Sequence, residues 1–206
     1  MVVKTFNQND TDLSDAELCL TVFRPDMTVF KEYTASFKPV CDFGILQIDD
    51  SFTNTCFLVC ADVKLDGDII SRSVYFNKCT DALSDKELYD KYRLAPTENL
   101  YFKNGPYLKP TIESAKKAKF SASIVSTGIN GKYHFADIAL KNISDITAYP
   151  ITAETVNEDQ RFFLSENFFM LKPNEEKPLR ITCDSGKVSD VKISFWNGDT
   201  LYLTAL

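Results

Sequence analysis

The sequence predicts an all-β protein that consists of two tandem antiparallel β-sandwiches with a short helix and a linker between them. Apolar and polar residues alternate with a period of two through most of the 206 residues, which is typical of half-buried strands. Turn-forming Asp-Gly and Asn-Gly pairs separate these runs at short intervals, as in an antiparallel sandwich. One segment near the middle of the chain has the residue pattern of a helix instead.

Five strand-like runs make up the first half of the chain. The last two are separated by Asp66-Gly67-Asp68, a sequence that favours a tight β-hairpin. The predicted strands cover residues 18–23, 28–37, 43–48, 56–65 and 69–76.

A short helix is predicted after these strands. Ser84 and Glu87 have the spacing of a helix capping box, and good helix formers surround them. A helix of two turns is therefore expected over residues 84–92, at the end of a first domain that spans 1–95.

A linker is predicted over residues 96–110. This stretch is rich in proline and has no periodicity, which is typical of a connector between domains. It nevertheless carries large apolar side chains where a flexible tether would carry serine and glycine, so we expect it to dock on a domain surface. These side chains are Leu100, Tyr101, Phe102, Tyr107 and Leu108.

The second half repeats the strand pattern and is predicted to form the second sandwich, over residues 111–206. Asn130-Gly131 and Asn197-Gly198 are two-residue hairpin signals in this half. Two domains of about 95 residues each have the size of immunoglobulin-like domains, although the Cys–Trp–Cys spacing of antibody domains is absent. The predicted strands cover residues 120–126, 134–142, 148–156, 179–183, 188–196 and 200–206.

Composition argues against nucleic acid and membranes as partners. The net charge is −6 and the pI is near 4.9, whereas polyanion binding depends on clustered Lys and Arg. No apolar stretch approaches the roughly 20 residues that span a bilayer. The first ten residues lack the hydrophobic core of a secretory leader, which favours the cytoplasm without determining the compartment.

The six cysteines are predicted to be reduced thiols, mostly buried, rather than a disulfide framework or a zinc site. The closest pair, Cys56 and Cys60, lies on one predicted strand, so the two residues are about 13 Å apart. A disulfide needs Cα atoms within about 7 Å, and a single zinc ion needs similar convergence.

No catalytic, cofactor or metal site is predicted within this chain. His134 begins a strand on the parity of apolar residues, so we interpret it as a histidine at the edge of the core. The acidic run at 47–52 lacks the regular spacing of calcium ligands. Gly-rich phosphate loops are absent from a chain with seven glycines.

Trp196 is the candidate contact residue. In the strand that precedes it, Val191, Ile193 and Phe195 form the predicted inward set, so Trp196 is expected to face outward. An exposed tryptophan either packs against a neighbouring domain or stacks on a sugar ring. We favour domain packing, because a single aromatic residue is a small platform for a glycan.

The segment ENFFMLKPNEEKPLRI, residues 166–181, carries a family resemblance. Together with the preceding LKNISDITAYPITAETV it resembles the C-terminal immunoglobulin-like domain of β-mannosidase-type enzymes among the family 2 glycoside hydrolases. The family pattern is a Ser/Asp-Asn-Phe-Phe run, a leucine and a Pro-Gly-Glu turn, and here Asn174 replaces the glycine. Residues that match are Ser165, Asn167, Phe168, Phe169, Leu171, Pro173 and Glu175.

The resemblance implies a scaffold role for this segment. It covers nearly the whole chain, since LDGDIISRSVYF resembles the hairpin of the preceding sandwich in that family. Phe168, Phe169 and Leu171 are expected to anchor a crossing loop to the sandwich, and the turn at 172–175 then leads into the next strand.

The resemblance also implies that the catalytic machinery lies elsewhere. In that family the two carboxylates belong to a (β/α)8 barrel, which needs about 250 residues of alternating strands and helices. The acid/base there is the glutamate of an Asn-Glu pair. That pair occurs here at Asn157-Glu158 and Asn174-Glu175, both of which are expected in solvated turns.

Two functional hypotheses follow from these observations. In the first, the chain is a non-catalytic C-terminal region of a glycoside hydrolase, inactive by itself, whose partners are the barrel and N-terminal domains of the same polypeptide. The parent enzyme would act on a glycan substrate, with a β-galactosidase or β-glucuronidase relative as a further option. In the second, the chain is a free-standing carbohydrate-binding or adhesion module of tandem sandwiches.

Overall fold

A computed structural model gives the structure of the chain for residues 1–5, 7, 12–53, 55–79, 111–184 and 186–204, with residues 78 and 79 described by their backbone alone. This part of the chain is nearly all β, as the sequence predicts. It divides into two compact units, Met1–Ala115 and Lys116–Leu206. Among the residues described, no helix has both the length and the apolar character that a bilayer span requires.

The described residues of the first unit form six strands and a 3-10 turn, besides a helical turn at 111–114. Strands β2, β3, β5 and β6 form an antiparallel sheet in the order β3-β2-β5-β6, and β1 pairs with β4 in a separate two-stranded sheet. The 3-10 turn spans Asp50–Phe52. The strands are β1 (Val2–Lys4), β2 (Glu17–Phe23), β3 (Val29–Ser36), β4 (Val40–Asp42), β5 (Thr55–Leu65) and β6 (Asp68–Cys79).

The core of the first unit lies between these two sheets. Alternate residues of β2, namely Leu18, Leu20 and Val22, are buried together with Phe52 of the 3-10 turn. Phe52 lies between two further rings in edge-to-face geometry, with centroid distances of 4.9 and 5.3 Å to Phe30 and Phe57.

The predicted hairpin between β5 and β6 is confirmed. Leu65 pairs with Asp68, which leaves Asp66 and Gly67 as a two-residue turn. Both turn residues have positive φ, 54° and 89°, as a type I′ turn demands. An Asp-Gly pair suits this turn because both residues tolerate the left-handed region.

The predicted strand at 43–48 is wrong. The strand in this region is β4, which ends at Asp42, because the side chain of Asp42 accepts a hydrogen bond from the backbone of Gly44, which turns the chain with a φ of 73°. Beyond it Ile45 is 89% exposed, so the apolar alternation does not describe a half-buried strand. Leu46 still packs against the core, but from a loop.

Eight strands in two four-stranded antiparallel sheets form the second unit. The first sheet has the order β10-β12-β8-β7 and the second has the order β11-β9-β13-β14. Chain neighbours β11 and β12 lie in different sheets, so the segment between them crosses from one layer to the other. The strands are β7 (Phe120–Asn130), β8 (Tyr133–Asn142), β9 (Ala148–Thr155), β10 (Phe162–Leu164), β11 (Phe169–Leu171), β12 (Glu176–Cys183), β13 (Val191–Phe195) and β14 (Leu201–Leu203).

Alternating residues of both sheets fill the core of the second unit. On β8, Ala136, Ile138 and Leu140 are fully buried, and on β13 Val191 and Ile193 are fully buried. This is the inward set that the period-two pattern predicts.

The predicted helix at 84–92 and the linker at 96–110 lie outside the described residues, so both stay predictions. The described chain resumes at residue 111, where a single helical turn covers 111–114. The hydroxyl of Thr111 is buried, donates to Cys56 O at 3.2 Å and accepts from Cys56 N at 2.7 Å, within the first unit.

Candidate functional site

Trp196 lies directly after β13 and is 38% exposed, in agreement with its predicted outward orientation. Its ring meets that of Tyr149 edge to face, with the centroids 6.3 Å apart. Burial raises the pKa of the Tyr149 hydroxyl above its ordinary value, because a phenolate would be poorly hydrated there. The two rings form an aromatic pair at one end of the second sheet.

Asn197 fixes the chain beneath this pair. It is 3% exposed, and its Nδ2 donates to Thr147 O at 2.7 Å and to Lys116 O at 3.1 Å. Its Oδ1 accepts from Tyr149 N at 3.2 Å. The side chain of Asn197 thus links the backbone at Lys116 with the backbone at Thr147 and Tyr149.

The Asn197-Gly198 pair is therefore not the two-residue hairpin turn that the sequence predicts. Ile193 pairs with Leu201, so β13 and β14 do form a hairpin, but residues 196–200 connect them. The physical reason is that the asparagine side chain is held inside the sandwich by three hydrogen bonds.

The first residues of the second unit are held against the same connection. Ala118 N donates to Asn197 O at 2.7 Å, and Lys117 makes an exposed ion pair with Asp199 at 2.9 Å. The backbone next to Trp196 is consequently held by hydrogen bonds of both the main chain and the side chain of Asn197.

Residues 166–181 do cross between the two sheets. Phe169, Met170 and Leu171 in β11 are buried, with exposures of 4%, 0% and 0%. The turn that follows is closed by Glu175 N, which donates to Lys172 O at 3.1 Å, and by Lys172 N, which donates to Glu175 Oε2 at 2.8 Å.

Asn174 occupies the position of this turn where the resembled family has glycine, and its backbone conformation is one that asparagine tolerates. Its φ is 62°, and Pro173 precedes it, as in a type II turn. Asparagine adopts this left-handed conformation more readily than most residues. The predicted turn at 172–175 is confirmed.

Phe168 does not anchor the loop to the sandwich, so this part of the prediction is wrong. Its side chain is 67% exposed and its φ is 57°, a conformation that is unfavourable for a bulky residue. The reason is the preceding Asn167, whose Oδ1 accepts from Ala153 N and from Phe168 N, at 3.3 and 3.1 Å. These bonds hold Phe168 outward and Phe169 inward.

Asn142 is a structural residue that the sequence reasoning did not identify. It is fully buried at the end of β8, and its Nδ2 donates to Ile146 O at 2.7 Å and to Leu171 O at 3.1 Å. The backbone N–H of Ser144 donates to its Oδ1 at 3.0 Å. The Asn-Ile-Ser loop of the family resemblance was the available signal.

The carboxylates of the two Asn-Glu pairs lie in turns. Asn157 and Glu158 are exposed between β9 and β10, and Glu175 is committed to the backbone of Lys172. His134 is half-buried on the parity of the β8 core residues. In the part of the chain that the structure describes, no group of three or more His, Cys, Asp or Glu residues is gathered for a metal ion.

A buried ion pair in the first unit has no counterpart in the predictions. Asp62 of β5 is fully buried, and Arg72 of β6 donates to it from Nε at 2.6 Å and from Nη2 at 3.0 Å. The thiol of Cys60 lies 3.3 Å from the same carboxylate. The described cysteines 19, 41, 56, 60 and 183 are all free thiols.

Comparison with known proteins gives the class of fold. No protein-family model matches the chain, and no curated protein sequence matches it. Solved structures do match, and the similarity to them is one of fold. The matches are to the exo-chitosanase CsxA of Amycolatopsis orientalis, also described as an exo-β-D-glucosaminidase.

The similarity extends over most of this chain. The crystal structure of the exo-chitosanase superposes with a TM-score of 0.64 at 15% identity and covers 92% of this chain. An inhibitor complex of the same enzyme gives 0.62, and a complex with PNP-β-D-glucosamine gives 0.64, at the same identity and coverage. The chain spans 23% of the length of that enzyme.

Proposed function

We propose that this chain is a non-catalytic C-terminal accessory region of a family 2 glycoside hydrolase. The observation that carries the proposal is the single superposition across 92% of the chain on an exo-chitosanase of which it matches 23%. The motif at 165–175 supports the same family independently, because it rests on residue identities rather than on the fold.

The geometry of the acidic residues supports a non-catalytic role. Retaining glycosidases need two carboxyl groups about 5–5.5 Å apart, one of them in an environment that keeps it protonated. Glu158 is exposed in a turn, and Glu175 serves as the cap of its own turn.

The proposed partners are the catalytic barrel and the N-terminal domains of the same polypeptide. Trp196 and Phe168 are the residues we assign to such contacts. Both are large apolar side chains that remain exposed at 38% and 67%, although neighbouring bonds hold their backbones in place. Burial of the exposed part of either ring against another domain would contribute less than the roughly 1.5–3 kcal/mol of a fully buried side chain, and less for Trp196 than for Phe168 in proportion to the exposed fraction.

The substrate of the parent enzyme is a finer proposal. The sequence motif favours a β-mannosidase, whereas the similar solved structures belong to an enzyme named for chitosan and β-D-glucosamine. We propose the β-mannosidase type on the motif, with glucosaminidase, galactosidase and glucuronidase as the competing specificities. Substrate choice is made by barrel residues, so the parent enzyme must be assayed on all four.

The test is the gene and its complete product. An open reading frame that continues upstream through several hundred barrel-like residues supports the proposal, as does hydrolysis of an aryl β-glycoside by the product. A variant of the parent enzyme from which the region equivalent to this 206-residue chain is deleted is expected to lose thermal stability as well as activity. A parent that keeps full stability and activity without this region would contradict the accessory role.

The second candidate is a free-standing carbohydrate-binding module, which the exposed Trp196–Tyr149 pair favours. A secretion signal encoded directly before this region, together with glycan-array binding lost in Trp196→Ala, would support the module. Upstream barrel sequence, or binding unchanged in that variant, would count against it.

A further inference from the structure

The outer face of the sheet β10-β12-β8-β7 contains a shallow depression of about 620 Å³. It is on the sheet that does not carry Trp196. The floor is formed by Ala139 of β8 and Pro178 of β12, which pair with each other. Ser123 follows on β7, where it pairs with Ala139, so the side chains in this row are small.

A network of hydrogen bonds forms one wall of the depression. Arg180 donates to Asp137 from Nε at 2.6 Å and from Nη2 at 2.8 Å, and the hydroxyl of Ser126 donates to the same carboxylate at 2.7 Å. On the other side, Arg180 N donates to Ser165 Oγ at 3.0 Å. Donors and acceptors are therefore held in fixed positions side by side.

Two aromatic rings lie in the adjoining row of the same face. Phe163 of β10 and Phe135 of β8 both pair with Thr182 of β12, so they are two strand spacings apart, about 9.5 Å. Phe163 is 63% exposed. The guanidinium of Arg180 lies 4.3 Å from the centre of the Phe135 ring.

Gly128 is what allows the Phe135 ring to lie low over the sheet. A Cβ at position 128 would stand 2.8 Å from Cζ of Phe135, so any larger residue would lift the ring. One row further along, a bulge in β7 presents Val125 at the rim, where it is 63% exposed. Bulges of this kind often reorient a side chain beside a binding site.

The charges around the depression cancel. Asp137 and Glu176 face Arg180 and Lys141, in ion pairs of 2.6 and 3.8 Å. Such a surface attracts neither a polyanion nor a polycation. It suits a neutral ligand that has many hydroxyl groups and apolar C–H faces. A sugar ring has both.

We propose that this face is a binding site for a neutral oligosaccharide of extended β-linked pyranose units. The hydroxyls of the sugar would exchange hydrogen bonds with Asp137, Arg180 and Ser165, while C–H faces lie on the small floor and on Phe163. The two strand spacings between Phe163 and Phe135 accommodate more than one sugar unit. The inference deepens the proposed function, since it gives the accessory region a direct hold on a glycan.

Titration of the 206-residue chain with mannohexaose and cellohexaose, followed by heteronuclear NMR and calorimetry, tests the site. We expect saturable binding with shifts confined to residues of β7, β8, β10 and β12. Arg180→Gln removes the paired donors, and Ala139→Trp fills the floor without touching the core. Each is expected to weaken binding at least tenfold, while Tyr202→Ala on the other sheet leaves it unchanged.

Thermal unfolding of each variant identifies any loss of fold, and Arg180→Lys then provides a milder change at the same position. The inference is overturned by the absence of saturable binding to both hexaoses. It is equally overturned by binding that survives Ala139→Trp and Arg180→Gln but is lost in Trp196→Ala. Because hydrolysis by the parent enzyme is measured separately, its failure would refute the proposed function while leaving this binding result to stand.

Discussion

The ring of Phe195 occupies the space that any side chain at position 198 would need. An ideal Cβ on Gly198 would stand 1.6 Å from Cε2 of Phe195 and 2.2 Å from its Cζ. Phe195 is itself 8% exposed and contacts the ring of Phe120 at a centroid distance of 4.4 Å, so it has little room to move. Glycine is therefore required at position 198 because the Phe195 ring leaves no room for a side chain, and not because of a hairpin turn.

Gly198→Ala is expected to destabilise the chain by at least about 1–3 kcal/mol, the usual cost of an overpacked core. Chemical denaturation measures this cost. The matched control is the same change in a Phe195→Leu background, where the clash is removed and the cost should fall by about 1 kcal/mol or more. Equal costs in the two backgrounds would show that the ring is not the cause.

Asn197→Ala is expected to cost more than an exposed asparagine substitution in the same unit. The change removes the bond to Tyr149 N and leaves the buried Thr147 O without this donor, at about 1–3 kcal/mol for an unsatisfied buried group. Asn157→Ala is the control, because Asn157 is exposed and should cost about 1 kcal/mol or less. Similar losses in the two variants would argue against a special role for Asn197.

The two adjacent phenylalanines are expected to respond in opposite ways. Phe169→Ala removes a buried ring and should cost about 3–5 kcal/mol. Phe168→Asn should leave the isolated chain equally or more stable, because asparagine tolerates the φ of 57° and the phenylalanine ring is already in water. Unfolding curves of both variants provide the comparison, and a large loss in Phe168→Asn would restore it as a core anchor.

The Asp137–Arg180 pair should make stability depend on pH in the acid range. The hydrogen bonds from Arg180, followed by the bond from Ser126, lower the pKa of Asp137 below its ordinary value. Its contribution is therefore present above the unfolded-state pKa, near 4, and is lost as the pH falls through the folded-state pKa.

The free energy of unfolding, measured from pH 7 to pH 2, should fall more steeply in the unsubstituted 206-residue chain than in its Asp137→Asn variant. Every other acid, including Asp12 and Asp49 with their lowered pKa values, is shared by both proteins, so the difference isolates Asp137. Parallel curves would mean that the pair contributes nothing to the pH dependence.

Sequence reasoning predicted the strands and turns whose residues act locally. The Asp66-Gly67 turn follows from local φ preferences, and the inward set of β13 follows from the period of two. The run at 43–48 failed because its apolar residues contact the core from a loop, which alternation alone does not reveal.

What the sequence did not predict depends on partners that are distant along the chain. An Asn-Gly pair predicts a local turn at Asn197. The bonds of Asn197 to Lys116 and Thr147 span 81 and 50 residues, so the local pattern does not reveal them. An apolar run predicts that Phe168 is in the core. Its outward direction depends on the bond between the side chain of Asn167 and the backbone of Ala153, which the run does not reveal. The outer face of the β10-β12-β8-β7 sheet is likewise assembled only by strand pairing.

The most direct test of the account is an activity assay of the 206-residue chain by itself. It would be incubated with aryl β-mannoside, β-glucosaminide, β-galactoside and β-glucuronide, and the released aglycone would be measured against buffer. We expect no turnover on any of the four, because Glu158 is exposed in a turn and the carboxylate of Glu175 accepts a hydrogen bond from Lys172 N within its own turn. Clear hydrolysis that is abolished by Glu158→Gln or Glu175→Gln would contradict it.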